Sequence, residues 1–106
     1  MCQFQQLYHD SEGYVIRCNE CRHYQLLFNR IIFSLDEEEY QTFLISIAAC
    51  KLDLQQDTSQ KEIVLATPRR GVHLLLSQGQ VAQLYCMLEE ADTERKTLSF
   101  LQLFEA

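Results

Sequence analysis

From Gly13 onward, short runs of β-branched and aromatic residues alternate with polar turns, and twice the apolar spacing lengthens to a helical period. "GYVIRC" sets Tyr14, Val15 and Ile16 in a row, which is a strand composition. The turn Cys18-Asn19-Glu20-Cys21 follows. "HYQLLFNRIIFSL" then reads as one bent strand, or as two short ones broken at Asn29-Arg30. After Ser34 the period changes. Tyr40, Phe43, Leu44 and Ile47 have the i, i+3, i+4, i+7 spacing of an amphipathic helix over 34–54, with Ala48, Cys50 and Leu54 nearby. Ser34 and Glu37 fit an S-x-x-E capping box, and Asp36, Glu37 and Glu38 sit at the positive end of the helix dipole.

"DLQQDTSQK", Asp53 to Lys61, is polar and reads as the end of that helix plus a linker. After it the plan repeats. "KEIVLA" predicts a strand, "TPRRG" a turn and "VHLLLS" a second strand. Ser77 and Gln80 then form an S-x-x-Q capping box before a helix with Val81, Leu84, Tyr85, Leu88 and Ala91 on one face. The hairpins superpose with a shift of 49, so Tyr14-Val15-Ile16 falls on Ile63-Val64-Leu65. At the caps the shift is 43, which leaves six extra residues around "FNRIIF". The pattern is either a strand-turn-strand-helix pseudo-repeat, with halves at about 13–54 and 61–106, or two hairpin-helix units that merely look alike.

The tail "TLSFLQLF" fits a helix carrying Leu98, Leu101 and Phe104, or an edge strand. Helix is the expectation, because Glu89–Lys96 contains no Gly or Pro to stop the preceding one. Hairpins followed by helices predict an α+β fold: an antiparallel sheet of four to five strands with helices on one face. The length of 106 residues fits one domain, 1–106.

The composition, 47% hydrophobic and 23% charged, is that of a globular chain. The net charge is −6. Residues 1–52 carry four Lys/Arg against seven Asp/Glu, and residues 53–106 carry five against eight, so each half is −3. Neither half has the basic footprint of a nucleic-acid binder or of an anionic-membrane binder, and both partners are disfavoured. Gln3–Glu12 is polar where a leader would be apolar, and no apolar run approaches the ~18 residues of a membrane span. The five cysteines are odd in number and dispersed, which points to a reducing, cytoplasmic setting with thiols or metal ligands rather than disulfides.

The chemistry narrows to Cys18-x-x-Cys21. A CxxC turn between strands places two sulfurs on one side of a hairpin, which is half of a tetrahedral thiolate zinc site. A thioredoxin-type dithiol instead opens a helix, whose amides lower the first thiol's pKa. Here strand composition continues after Cys21, which weakens the redox alternative. Cys2 and His9 upstream are the candidate third and fourth metal ligands, with His23 and His73 as other imidazoles. The cofactor expectation is therefore none or one zinc ion. A metal-free turn, with Cys2 in a loose terminus and His9 in a solvated loop, is the competing reading. Arg69-Arg70, at the second hairpin tip before Gly71, is a candidate anion-binding pair or simply a solvated one. Cys50 and Cys86 fall within helical patterns and are expected to pack as small hydrophobes.

No G-x-S-x-G, phosphate loop or HExxH occurs, so an enzyme is the less favoured class. Five tyrosines and twelve glutamines suit protein contact, although half-buried core tyrosines would give the same count. "GYVIRCNECRHYQLLF", "SLDEEEY" and "PRRGVHLLLS" together resemble a family of small uncharacterised bacterial proteins. In that family a Gly-Tyr-Val strand, a CxxC, an aromatic-containing strand and an acidic-start helix follow in this order. It has no assigned activity, so the resemblance implies a fold unit and no mechanism. The resulting expectation is a small module, metal-free or stabilised by one zinc, that contacts a protein partner or itself as a homodimer. The alternative is a thiol-redox protein using Cys18 and Cys21.

Overall fold

The computed structural model describes residues 3–56 and 61–104. Its elements run β1 (Phe4–His9), β2 (Gly13–Cys18), β3 (Tyr24–Phe28), β4 (Ile31–Leu35), α1 (Glu37–Gln56), β5 (Ile63–Ala66), β6 (His73–Leu76) and α2 (Gln78–Gln102). The first four strands form an antiparallel sheet in chain order, and β5 and β6 form a separate hairpin. The α+β architecture is as expected, with one strand more than the sequence announces. β1 is the added strand, in a stretch that the sequence marks only as polar. Its "FQQLYH" is an edge strand with one wet face, so only Leu7 is buried and the polar residues mask the alternation.

Alternation puts Val15, Tyr24, Leu26, Phe28, Phe33 and Leu35 on the inner face of the sheet, and all are buried. Tyr40, Phe43, Leu44 and Ile47 of α1 and Val81, Leu84, Met87 and Leu88 of α2 meet them in one cluster. Each such side chain contributes about 1.5–3 kcal/mol through its removal from water. The hairpin adds Ile63, Leu65, Leu74 and Leu76 to the same core.

The turns follow local chemistry. "FNRIIF" breaks into two strands at Asn29 and Arg30, which both have positive φ, 52° and 66°. This is what a two-residue hairpin loop with the right twist requires. The capping box of α1 sits two residues beyond the expected Ser34–Glu37 pair. The Glu39 amide donates to Asp36 Oδ1 at 2.8 Å, and the Asp36 amide donates to Glu39 Oε1 at 3.0 Å. Ser34 is still in β4, because Leu35 is drawn into the core and extends the strand past it. The Ser77–Gln80 box of α2 is present as expected. The tail continues α2 to Gln102 without a break, as the missing Gly and Pro imply. Residues 57–60 of the linker reading lie outside the described residues.

Gly13 is fixed by space rather than by backbone angle. A Cβ there would lie 2.0 Å from the Leu27 carbonyl oxygen and 2.9 Å from Met87 Cε. β2, β3 and α2 therefore approach at a point where only hydrogen fits. Gly13→Ala is expected to cost about 3 kcal/mol by overpacking, read as a lower urea midpoint; an unchanged midpoint would show that the strands can separate without penalty.

Candidate functional site

One end of the sheet gathers most of the buried polar groups. Arg17 near the end of β2 faces Tyr24 at the start of β3, while Glu37 opens α1 and Arg95 comes from α2. The Tyr24 hydroxyl donates to Glu37 Oε2 at 2.9 Å. Arg17 Nε lies 3.7 Å from the same oxygen, and Arg95 Nε lies 3.8 Å from Oε1. At those distances the two Nε groups are coulombic partners and not hydrogen-bond donors, and both are buried without an acceptor among the described residues. The Arg17 guanidinium also stands 5.5 Å from the Tyr24 ring centre. Tyr24 stacks on Tyr40 with centroids 4.1 Å apart, and the Tyr40 hydroxyl donates to the Leu88 carbonyl at 2.8 Å. Burial pushes both phenol pKa values up, with the Glu37 bond adding to it at Tyr24, so both remain neutral donors.

Asp92 belongs to the same junction. It accepts from Gln41 Nε2 at 3.0 Å, and Lys96 and Arg95 lie 2.8 and 3.5 Å from its oxygens. Burial pushes its pKa up, but the bonds from Lys96 and Gln41 and the two cations outweigh that, and the net direction is down. Every charge in this cluster faces an opposite one. The arrangement joins elements and pairs no nucleophile with a base.

The CxxC turn stands directly beyond Arg17. Cys18 is buried and Cys21 exposed. The turn closes with the Cys18 amide donating to the His23 carbonyl and the Arg22 amide to the Cys18 carbonyl, each at 2.9 Å. Arg22 takes a left-handed φ of 63°. The Cys21 amide points at Cys18 Sγ from 3.5 Å, and His23 Nδ1 lies 3.1 Å from the Cys21 carbonyl. Since a carbonyl only accepts, Nδ1 carries the proton in that bond.

The other candidates scatter. His9 pairs with Tyr14, whereas Cys18 pairs with Phe4 at the opposite end of the same two strands. The five-residue separation along β1 places His9 about 16 Å from Phe4, since a strand rises about 3.3 Å per residue. The structure thus does not bring His9 to the CxxC turn. Cys2 lies outside the described residues. Among the described residues, no three His, Cys, Asp or Glu side chains group closely enough to hold a metal ion. Arg69 is engaged internally: it donates to the Ser34 carbonyl and pairs with Glu39 at 2.9 Å, while Arg70 is exposed. His73 opens β6 and is exposed. Cys50 is half-buried against the core, and burial with the nearby Asp53 carboxylate keeps it a thiol. Cys86 is exposed, against expectation, because it lies beside the Val81–Leu84–Leu88–Ala91 stripe and not on it.

The sequence reading missed the Arg17–Tyr24–Glu37–Arg95 junction. The only available signals were an arginine interrupting an apolar strand and a lone Asp92 following Ala91 on the apolar stripe of α2.

Fold and site define a small α+β protein with a CxxC hairpin and no assembled catalytic constellation among its described residues. Residues 1–105 match the family described as "Family of unknown function (DUF6686)", and the chain belongs to that family. Neither the curated proteins nor the solved structures contain a match to it. Among the described residues, no helix is long and apolar enough to cross a membrane.

The carboxyls fix a pH dependence. Asp10 is held low by the Tyr8 hydroxyl at 2.5 Å and by the Glu12 and Gly13 amides, and Tyr8 is pushed up to about 12. Asp10 and Asp92 both stay ionised below the ordinary carboxyl pKa of about 3.9. The unfolded chain therefore binds protons that the folded chain refuses, so this stability is complete above about pH 5 and is lost as pH falls through the folded values. Asp92→Asn is expected to unfold more easily at pH 7, by about 1–3 kcal/mol, and to show a shallower acid limb in urea titrations from pH 5 to 2. An acid limb identical to wild type would remove Asp92 from this account.

Proposed function

We propose that the protein is an interaction module that self-associates through the outer face of its four-stranded sheet. Alternation and register place Phe4, Gln6, His9, Tyr14, Ile16, Gln25, Leu27, Ile32 and Ser34 on that face, and none of them is a carboxylate, lysine or arginine. Phe4 and Ile32 are each 55% exposed. This uncharged, apolar face on a chain of net charge −6 is the observation that carries the reading. Two such chains repel each other over most orientations and least where no carboxylate is presented. A face that meets its own copy does so about a two-fold axis.

The sheet edges are less suited. β1 carries a register shift between Gln6 and Tyr8, which bends that edge away from pairing. Arg69 occupies the Ser34 carbonyl of β4 at the other edge. Four strands at about 4.8 Å spacing and about 3.3 Å per residue give a face roughly 19 by 18 Å. That area fits a weak, reversible pair and not an obligate dimer. A reducing, cytoplasmic setting fits the dispersed cysteines. The thiol-redox alternative has less support, because Cys18 is buried and the turn opens a strand and not a helix.

Sedimentation equilibrium across micromolar to millimolar protein tests the reading. A mass rising toward two copies is expected, with Ile32→Glu returning it to one. Strict monomer behaviour at millimolar protein would end it.

A further inference from the structure

We propose that the free edge of β5, with the groove between it and α1, binds an extended segment of another protein that carries alternating apolar residues and at least one Lys or Arg. The segment adds a third strand to the β5–β6 hairpin. Backbone hydrogen bonds hold its main chain, and the groove takes its side chains. This inference does not depend on the self-association reading.

Register shows which backbone groups are available. The Thr67 amide donates to the Val72 carbonyl at 3.2 Å, which makes Thr67–Val72 a hydrogen-bonded pair. Opposed pairs of an antiparallel ladder alternate between bonded and non-bonded. Ala66–His73 and Val64–Leu75 are therefore non-bonded pairs, and the N–H and C=O of Val64 and Ala66 point away from β6. β5 has no second strand neighbour, and among the described residues no other hydrogen bond satisfies these groups. They stand in a row on one edge, which is the template that an added strand uses. The four-stranded sheet guards its edges with a register shift in β1 and with Arg69 at β4. β5 has neither device: its register with β6 is unbroken, and Ile63–Ala66 contains no charge and no proline.

The groove lies along the same edge. It holds about 660 Å³ and is lined by Ala49, Cys50 and Leu54 of α1 and by Ile63, Val64 and Leu65 of β5. Successive residues of a strand face opposite sides. A cavity touched by Ile63, Val64 and Leu65 in a row therefore runs along the edge of β5 and not under one face. That volume is in the range of small-ligand sites and seats alternate side chains of a short extended segment. The floor is apolar. The rim carries Asp53 and Glu62, with no Lys, Arg or His among the described lining residues. The Asp53 carboxylate acts electrostatically on Cys50, which sets its charge against the groove. Neither carboxylate is in an ion pair among the described residues. An incoming Lys or Arg supplies the counter-charge. The β5 strand of a second copy brings "EIVLA", with its own Glu62 and no cation. The charges thus select a basic, apolar strand from another protein.

The test uses the full chain, ¹⁵N-labelled, and blocked six-residue peptides. One alternates Val and Lys, one alternates Val and Glu, and one is the Val-Lys sequence N-methylated at every residue. The Val-Lys peptide is expected to bind saturably below about 1 mM. It should shift the amides of Ala49–Asp53 and Ile63–Ala66 and slow hydrogen exchange at Val64 and Ala66. The Val-Glu and N-methylated peptides should bind at least about ten-fold more weakly. Asp53→Lys combined with Glu62→Lys should reverse the preference toward Val-Glu. Val64→Pro removes an outward amide and no β5–β6 bond, so it should abolish binding with the hairpin intact. Circular dichroism reports whether the variants fold, and the N-methylated peptide tests the same bonds on the wild-type chain. Equal binding of the three peptides, shifts confined to the outer face of the four-stranded sheet, or no saturation at about 1 mM would each overturn the site. So would slow exchange at Val64 and Ala66 without peptide together with a doubled mass, which would give the edge to a second copy.

Discussion

The stack of Tyr24 on Tyr40, with centroids 4.1 Å apart, is the contact on which the polar architecture depends. It joins β3 to α1 inside the core at one end of the sheet and adds about 0.5–1.5 kcal/mol beyond the area buried. The stack also brings two hydroxyls inside, and a buried hydroxyl left without a partner would cost about 1–3 kcal/mol. Each hydroxyl is answered by a different helix. Tyr40 reaches the Leu88 carbonyl of α2, and Tyr24 reaches Glu37 at the start of α1. The half-buried Glu37 carboxylate in turn demands cations, and Arg17 and Arg95 supply them from β2 and α2. The charged cluster is thus a consequence of the tyrosines: it makes one stacking pair tolerable in a dry interior and ties the sheet to both helices.

The two hairpins share a backbone and divide in their packing. Val15 pairs with Leu26, and Val64 pairs with Leu75, an offset of 49 in both strands. Yet Val15 and Leu26 are fully buried, while Val64 and Leu75 are 68% and 59% exposed. The second hairpin turns its other face, Ile63, Leu65, Leu74 and Leu76, to the core. Since side chains alternate with period two, equal register with opposite burial means that the hairpin is presented from its reverse side. Any common origin of the halves is therefore preserved in turn geometry and not in the core. The insertion between them is β4 with its Asn29-Arg30 turn, which moves the cap offset from 49 at the hairpins to 41, from Asp36 to Ser77.

What was legible in the sequence follows from which interactions are local. The helix faces, the Asn29-Arg30 break and the Ser77–Gln80 box are fixed by spacing and by neighbours within four residues, and they emerge as read. β1 was illegible because an edge strand with one wet face looks like a loop. The cap of α1 moved because Leu35 is fully buried, a tertiary demand that extends β4 past Ser34. Cys86 was misplaced by one helical position. The CxxC turn was visible at once, but its surroundings were not. Register alone decides that the chain before β1 arrives there and that His9 does not. The Glu37 junction was hidden for the same reason: Arg17, Tyr24, Glu37 and Arg95 are separated by up to 78 positions, and only topology assembles them.

Charge distribution sets one face of the surface apart. Arg17, Arg69, Arg95 and Lys96 all face carboxylates of their own chain, so these basic residues neutralise interior or half-buried acids. Arg22, Arg30, Lys61 and Arg70 stay exposed among the remaining acids. An outer sheet face with no carboxylate, lysine or arginine differs sharply from these surroundings, and desolvating it strands no carboxylate. Arg17 points to the inner side, at Glu37 and the Tyr24 ring, and puts no charge on that face. Covering that face leaves the Glu37 junction, on the inner side of the sheet, undisturbed.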